Sequence, residues 1–127
     1  MARDFEEEFL RAREPEAWEN SAQQLASLEA PEGIQALNRL FTRAQNYRQR
    51  VALIGALADS HSDATLATKL AILQTAMAPA QARQVRSAAL DVALQLDDPR
   101  ALALIRRAAK EDPDSQIREL ARTALEK

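Results

Sequence analysis

DPDSQIREL, residues 112–120, sets a break directly before a helical start. Pro113 cannot continue a preceding helix, and Asp114 and Ser115 carry side-chain oxygens suited to the unpaired N–H groups of a first turn. At an offset of 68 the stretch falls on AQNYRQRVA, residues 44–52. The same offset pairs Pro31 with Pro99, Ile34 with Leu102, Leu37 with Ile105 and Arg39 with Arg107. It also pairs Arg50 with Arg118, Ala56 with Ala124 and Leu57 with Leu125. The agreement covers two successive helices, so the unit that recurs is a helical hairpin.

A middle copy lies between them. Leu66 stands where Ile34 and Leu102 do, and Arg86 where Arg50 and Arg118 do. Four extra residues fall in AMAPAQ around Pro79, where a turn tolerates insertion. First helices are expected over 31–44, 63–77 and 99–110, and second helices over 47–58, 81–96 and 114–126. APEG and DDPR place proline in a first helical turn, where its missing N–H costs nothing. DSHSD before Ala64 supplies capping oxygens. The reading divides a single domain over 1–127 into an N-terminal helical pair or cap, 1–30, and hairpins at 31–60, 61–97 and 98–127.

Composition agrees. Ala and Leu dominate, Gly occurs twice and aromatics make up 4% of the chain, so helix is favoured nearly everywhere. VALIGALA (51–58) and VRSAALDVALQL (85–96) are apolar almost all round, as helices packed on several sides must be. IRELARTALEK keeps one apolar stripe through Ile117, Ala121, Ala124 and Leu125, as expected of the end of a stack. In the N-terminal segment Phe5 and Phe9 share one face, and Trp18, Ala22 and Leu25 another. These aromatics either cap the first hairpin or form an adhesive face.

Chemistry is sparse. With no Cys, thiolate catalysis, disulfides and thiolate metal sites are excluded. Asp59-x-His61-x-Asp63 has the residue types of a metal nest, but three adjacent turn residues without a distant partner read better as a capped turn. Gly33 and Gly55 are isolated and make no phosphate loop. Gly55, inside an apolar helix, is expected to permit close helix approach. Glu6-Glu7-Glu8 and Asp97-Asp98 read as solvated charge and capping rather than acid–base machinery. Neither a cofactor nor a metal is expected, and no enzyme activity. The charged start and the lack of a long apolar run point to a cytoplasmic protein that does not enter membranes.

Residues 112–125 resemble the turn and second helix of a HEAT-like repeat, whose pattern runs Asp-Pro-Asp-x-x-Val-Arg followed by Ala and Leu. Asp112, Pro113, Asp114, Ile117, Arg118, Ala121 and Leu125 fit it, and Val85, Arg86 and Ala89 fit its middle part. The resemblance covers about 31–127. The tetratricopeptide repeat shares the period, but its Trp, Gly, Tyr and Phe markers are missing. The HEAT-like resemblance implies an all-α fold, a right-handed α-solenoid of antiparallel helical hairpins of the HEAT and armadillo type. In that family the turn Asp and the second-helix Arg tie neighbouring repeats together. Here Ala44 and Ala80 replace the turn Asp, which leaves Arg50 and Arg86 to find other acceptors.

The same resemblance places second helices on the concave side, where partners bind. Tyr47, Arg48, Arg83, Gln84, Ser87, Asp91, Gln116, Glu119 and Thr123 form continuous rows there, and Tyr47 with Arg48 and Arg83 is the expected anchor for a protein partner. Two alternatives stay open. Some short HEAT-like proteins resemble bilin lyases or their subunits, which act on a protein-bound pigment. Arg39, Arg43, Arg100, Arg106, Arg107 and Lys110 on first helices, with Arg48 and Arg83, are a set that could meet nucleic-acid phosphates. Against the latter stand an overall pI near 5.5 and only two aromatics in the repeats, Phe41 and Tyr47. The protein is expected to be a monomer.

Overall fold

The computed structural model describes residues 2–28, 31–44, 46–59, 65–96 and 98–126. Among them are eight α-helices and no strand. In chain order these are α1 (Ala2–Arg11), α2 (Pro15–Ser27), α3 (Pro31–Arg43), α4 (Tyr47–Ala56), α5 (Leu66–Ala76), α6 (Arg83–Gln95), α7 (Pro99–Glu111) and α8 (Ser115–Glu126). A 3-10 turn, Leu57–Asp59, follows α4.

The starts obey their local chemistry. Asn46 accepts from the Gln49 N–H at 3.0 Å and Asp98 from the Arg100 N–H at 2.8 Å. Asp114 Oδ1 accepts from both Gln116 N and Ile117 N. Pro15 and Pro99 sit in first turns, where no bond is lost. The capping expected from residues 60–63 lies outside the described residues.

Packing follows chain order in two layers. Among odd-numbered helices α1 packs on α3, α3 on α5 and α5 on α7; among even-numbered ones α2 packs on α4, α4 on α6 and α6 on α8. Each odd helix also packs against the even helix that follows it. One apolar cluster runs through all of this, from Phe9 and Trp18 to Ile117 and Ala121. The buried positions recur at i, i+3, i+4 and i+7: Trp18, Ser21, Ala22, Leu25 in α2 and Arg86, Ala89, Leu90, Ala93 in α6. Arg50, Leu53, Ile54 and Leu57 continue the set through α4 and the turn after it, with Arg50 half-buried.

The first member of each set is an N–H donor with a shared task. Trp18 Nε1 donates to the Ala12 carbonyl at 2.8 Å, Arg50 Nη2 to that of Ala44 at 3.3 Å, and Arg118 Nη1 to that of Asp112 at 2.7 Å. Arg86 Nη1 donates to Gln81 O at 2.6 Å. Each donor thus closes the turn of its own hairpin: Ala12, Ala44 and Asp112 directly follow the preceding helix, where carbonyls lack helical partners, and Gln81 stands two residues before α6. The N-terminal pair, which carries none of the repeat pattern in sequence, has the same arrangement, with an indole in place of a guanidinium.

Two of these arginines also reach forward. Arg86 Nε meets Asp112 Oδ2 at 3.1 Å, and Arg50 Nη1 meets Gln81 Oε1 at 3.1 Å. Arg50 therefore uses an amide where Arg86 uses a carboxylate. Among the described residues its Nε is buried without a hydrogen-bond partner, and its guanidinium lies over the Phe41 ring at 5.7 Å.

Gly55 departs from expectation. It is exposed, and a Cβ there would meet nothing, so it mediates no close approach. Gly33 does: a Cβ at that position would run into the Leu25 carbonyl of α2. Lys69 is a second surprise. It is buried in α5, 32 residues after the core position Leu37, and desolvation holds its ammonium below the usual lysine range.

Candidate functional site

The starts of α4, α6 and α8 lie side by side, because Arg50 bonds to Gln81 just before α6, and Arg83 and Arg86 bond to Asp114 and Asp112 just before α8. The three helices consequently run in the same direction. Their outward positions include the nine residues expected to meet a partner. Tyr47, Arg48, Arg83, Gln84, Asp91, Gln116, Glu119 and Thr123 are exposed, and Ser87 is half-buried.

Their roles differ. Tyr47 is 39% exposed, and the Arg48 guanidinium lies over its ring at 5.9 Å, a cation–π pair that holds both at the α4 end of the row. Arg83 is instead a strut. Its Nε donates to Asp114 Oδ2 at 2.8 Å and its Nη2 to Gln116 Oε1 at 2.5 Å, bridging α6 to α8. That hydrogen bond from Arg83, with the N–H groups of Ile117 and Gln116, holds the Asp114 carboxyl below the usual range despite opposing desolvation. Tyr47 and Arg48 therefore form one unit, and Arg83 belongs to another.

Sequence reading passed over two members of this face. Leu94 follows Asp91 by three residues and is 42% exposed; Leu120 follows Gln116 by four and is 52% exposed. Helical spacing puts each on the polar row of its own helix. VALQL belongs to a helix that reads as apolar almost all round, and the stripe of IRELARTALEK runs through Ile117, Ala121, Ala124 and Leu125, so neither Leu94 nor Leu120 stood out as a surface position. Both are uncovered because α6 and α8 meet at few points, whereas α4 and α6 pack closely. The third hairpin is held chiefly by α6 against α7 and by the arginine bridges.

Six residues separate α5 from α6, against three between α1 and α2, between α3 and α4 and between α7 and α8, and this longer connection accompanies the wider spacing. Between it and α7 opens a cavity of about 390 Å³ with Met77, Ala78, Pro79, Leu104 and Ala108 in its wall and Arg107 and Glu111 among its polar residues. It lies on α5 and α7, and none of the nine expected residues lines it.

Of the cations nominated for phosphate contact, four are matched internally. Arg39 pairs with Glu6 at 2.9 Å, Arg83 with Asp114, Arg100 with Asp98 at 3.1 Å and Arg107 with Glu111 at 3.1 Å. The Asp59, His61 and Asp63 side chains lie outside the described residues. Among the described residues no helix is long and apolar enough to cross a membrane. No family model, curated protein or solved structure matches the chain.

Proposed function

We propose that the chain is a short right-handed α-solenoid of HEAT-like hairpins and acts as a non-catalytic module that binds a protein through the outward face of α4, α6 and α8. The observation that supports this most is the combination on that face of three exposed apolar side chains, Tyr47, Leu94 and Leu120, with polar neighbours. Monomeric surfaces carry isolated apolar residues freely, but an aromatic and two leucines on parallel helices give a partner several anchors. Arginine struts beneath keep the helices in register, so little ordering cost falls on binding.

The test compares capture of native-source proteins by wild type, by Tyr47→Ala/Leu120→Asp, and by Ala103→Asp on α7 as a control. A specific partner should be lost from the double variant and kept by the control, with helicity and melting unchanged in both. Equal capture by all three, or equal loss from both variants, removes this face from consideration. Arg83→Glu is a poor probe, because it sets two acids against each other at Asp114.

A further inference from the structure

Along α7, Leu104, Arg107, Ala108 and Glu111 recur at the spacing of one helical stripe. This stripe, with Asp112 after it, is one wall of the cavity of about 390 Å³; the end of α5 and Met77, Ala78 and Pro79 make the other. The hairpin register accounts for the space. Ala108 falls 68 residues after Leu40 of α3 and 36 after Ile72 of α5. Leu40 and Ile72 are 0% and 2% exposed, and both belong to the continuous apolar cluster. At 108 a methyl group stands in for their branched side chains, and the longer connection before α6 supplies the opposite wall. The space therefore lies between two hairpins, not at an end of the row.

Every charged side chain in the wall already has its counter-ion. Arg107 Nε meets Glu111 Oε2 at 3.1 Å, and both side chains are largely exposed, so this pair stands at the mouth. Asp112 is deeply buried, and its Oδ2 accepts from Arg86 Nε at 3.1 Å. An ion that entered would give up its hydration and meet no unmatched charge in return, so the site selects against ions. Hydrogen-bonding capacity remains. Asp112 Oδ1 accepts the Asp114 N–H at 2.9 Å and Oδ2 the Arg86 N–H, while each carboxylate oxygen can accept two such bonds. The spare capacity calls for a donor. Size follows from the volume, which is more than twice the roughly 150 Å³ that encloses one benzene ring and falls in the range of small-molecule pockets.

We propose that the cavity between the second and third hairpins binds a small uncharged molecule, flat and apolar, of about two fused rings, with one O–H or N–H donor for Asp112. The site is separate from the outward face of α4, α6 and α8, whose nine expected residues do not line it. The bound molecule bridges α5 and α7 where these helices otherwise meet at few points, and so firms the seat of the third hairpin.

Equilibrium dialysis of the full chain at about pH 7 against four probes that share one ring system tests this: 2-naphthol, 2-methoxynaphthalene, 2-naphthoate and 2-naphthylmethylammonium. 2-Naphthol should bind with a Kd on the order of 0.1 mM and raise the melting temperature. The methoxy compound, which lacks the donor, should bind about fivefold more weakly, and each ion at least about tenfold more weakly. Ala108→Leu restores the bulk that α3 and α5 carry at this position; it should keep the native ellipticity and lose at least about tenfold in 2-naphthol affinity. Should Ala108→Leu disturb the fold, Ala78→Leu fills the cavity from the opposite wall and takes its place. The proposal is overturned if 2-naphthol fails to bind at about 1 mM, or if a folded filling variant binds it as well as wild type. Equal affinity for the methoxy compound or for either ion overturns it too.

Discussion

Arg86 Nε and Asp112 Oδ2 stand 3.1 Å apart, with 9% and 3% of their side chains exposed, and join α6 to the turn before α8. Asp112 also accepts the Asp114 N–H at 2.9 Å, and Arg86 also donates to the Gln81 carbonyl. Both groups are therefore well provided with partners. Removing one charge and keeping the other is the costly change, since it strands a buried ion.

Asp112→Ala should lower the unfolding free energy by about 3 kcal/mol in urea titration. Replacing both groups, as Arg86→Met/Asp112→Ala, should cost clearly less than the sum of the single changes. A simple sum would show that the pair is not coupled.

Gln81→Glu offers Arg50 a carboxylate where it now has an amide. The half-buried position favours a gain of about 0.5–1 kcal/mol, shrinking as salt is added. Thermal melts at two salt concentrations read this directly. A loss of stability would mean that the buried Arg50 Nε is not relieved by added charge.

The two glycines should respond oppositely to alanine. Gly55→Ala should stabilise by about 0.5–1 kcal/mol, because open space surrounds a helical position with poor intrinsic propensity. Gly33→Ala should destabilise, because its methyl group would collide with the Leu25 carbonyl. Melting temperatures moving in the same direction would contradict the geometry of the α2–α3 contact.

Asp114 and Asp98 both have carboxyls held below the usual range, by Arg83 and Arg100 respectively. A depressed folded-state value means that the stabilisation is present above about pH 4 and disappears as acid titrates the folded carboxyl. Asp114→Asn should flatten the loss of stability on the acid side and leave the neutral-to-alkaline side parallel to wild type. Denaturation midpoints from pH 2 to pH 7 check it.

How far the chain could be read without coordinates depended on which groups did the work. Helix existence and order were legible because proline, aspartate and the apolar period act locally: the α7 start at Pro99 and the α8 start after Asp114 fall within a residue of expectation. The forward contact of Arg50 was not, since Gln81 lies in an inserted turn and no pattern equates an amide there with the aspartate at 112. Trp18 was hidden for a related reason: an indole N–H and a guanidinium N–H do the same job but share no sequence signature. Within the candidate site, exposure followed helical spacing, whereas the division of Arg83 from Tyr47 and Arg48 came from hydrogen bonds across helices, which no spacing encodes.

The indole that closes the first turn is the only one in the chain, and it is packed beside Phe9 at 6.4 Å. Its emission therefore watches one extremity of the molecule, while ellipticity averages over every helix. If the hairpins melt as a single cooperative unit the two signals will trace one curve. If the loosely seated last hairpin frays first, ellipticity will fall while fluorescence holds, and the gap between the curves will gauge how far order spreads along the row.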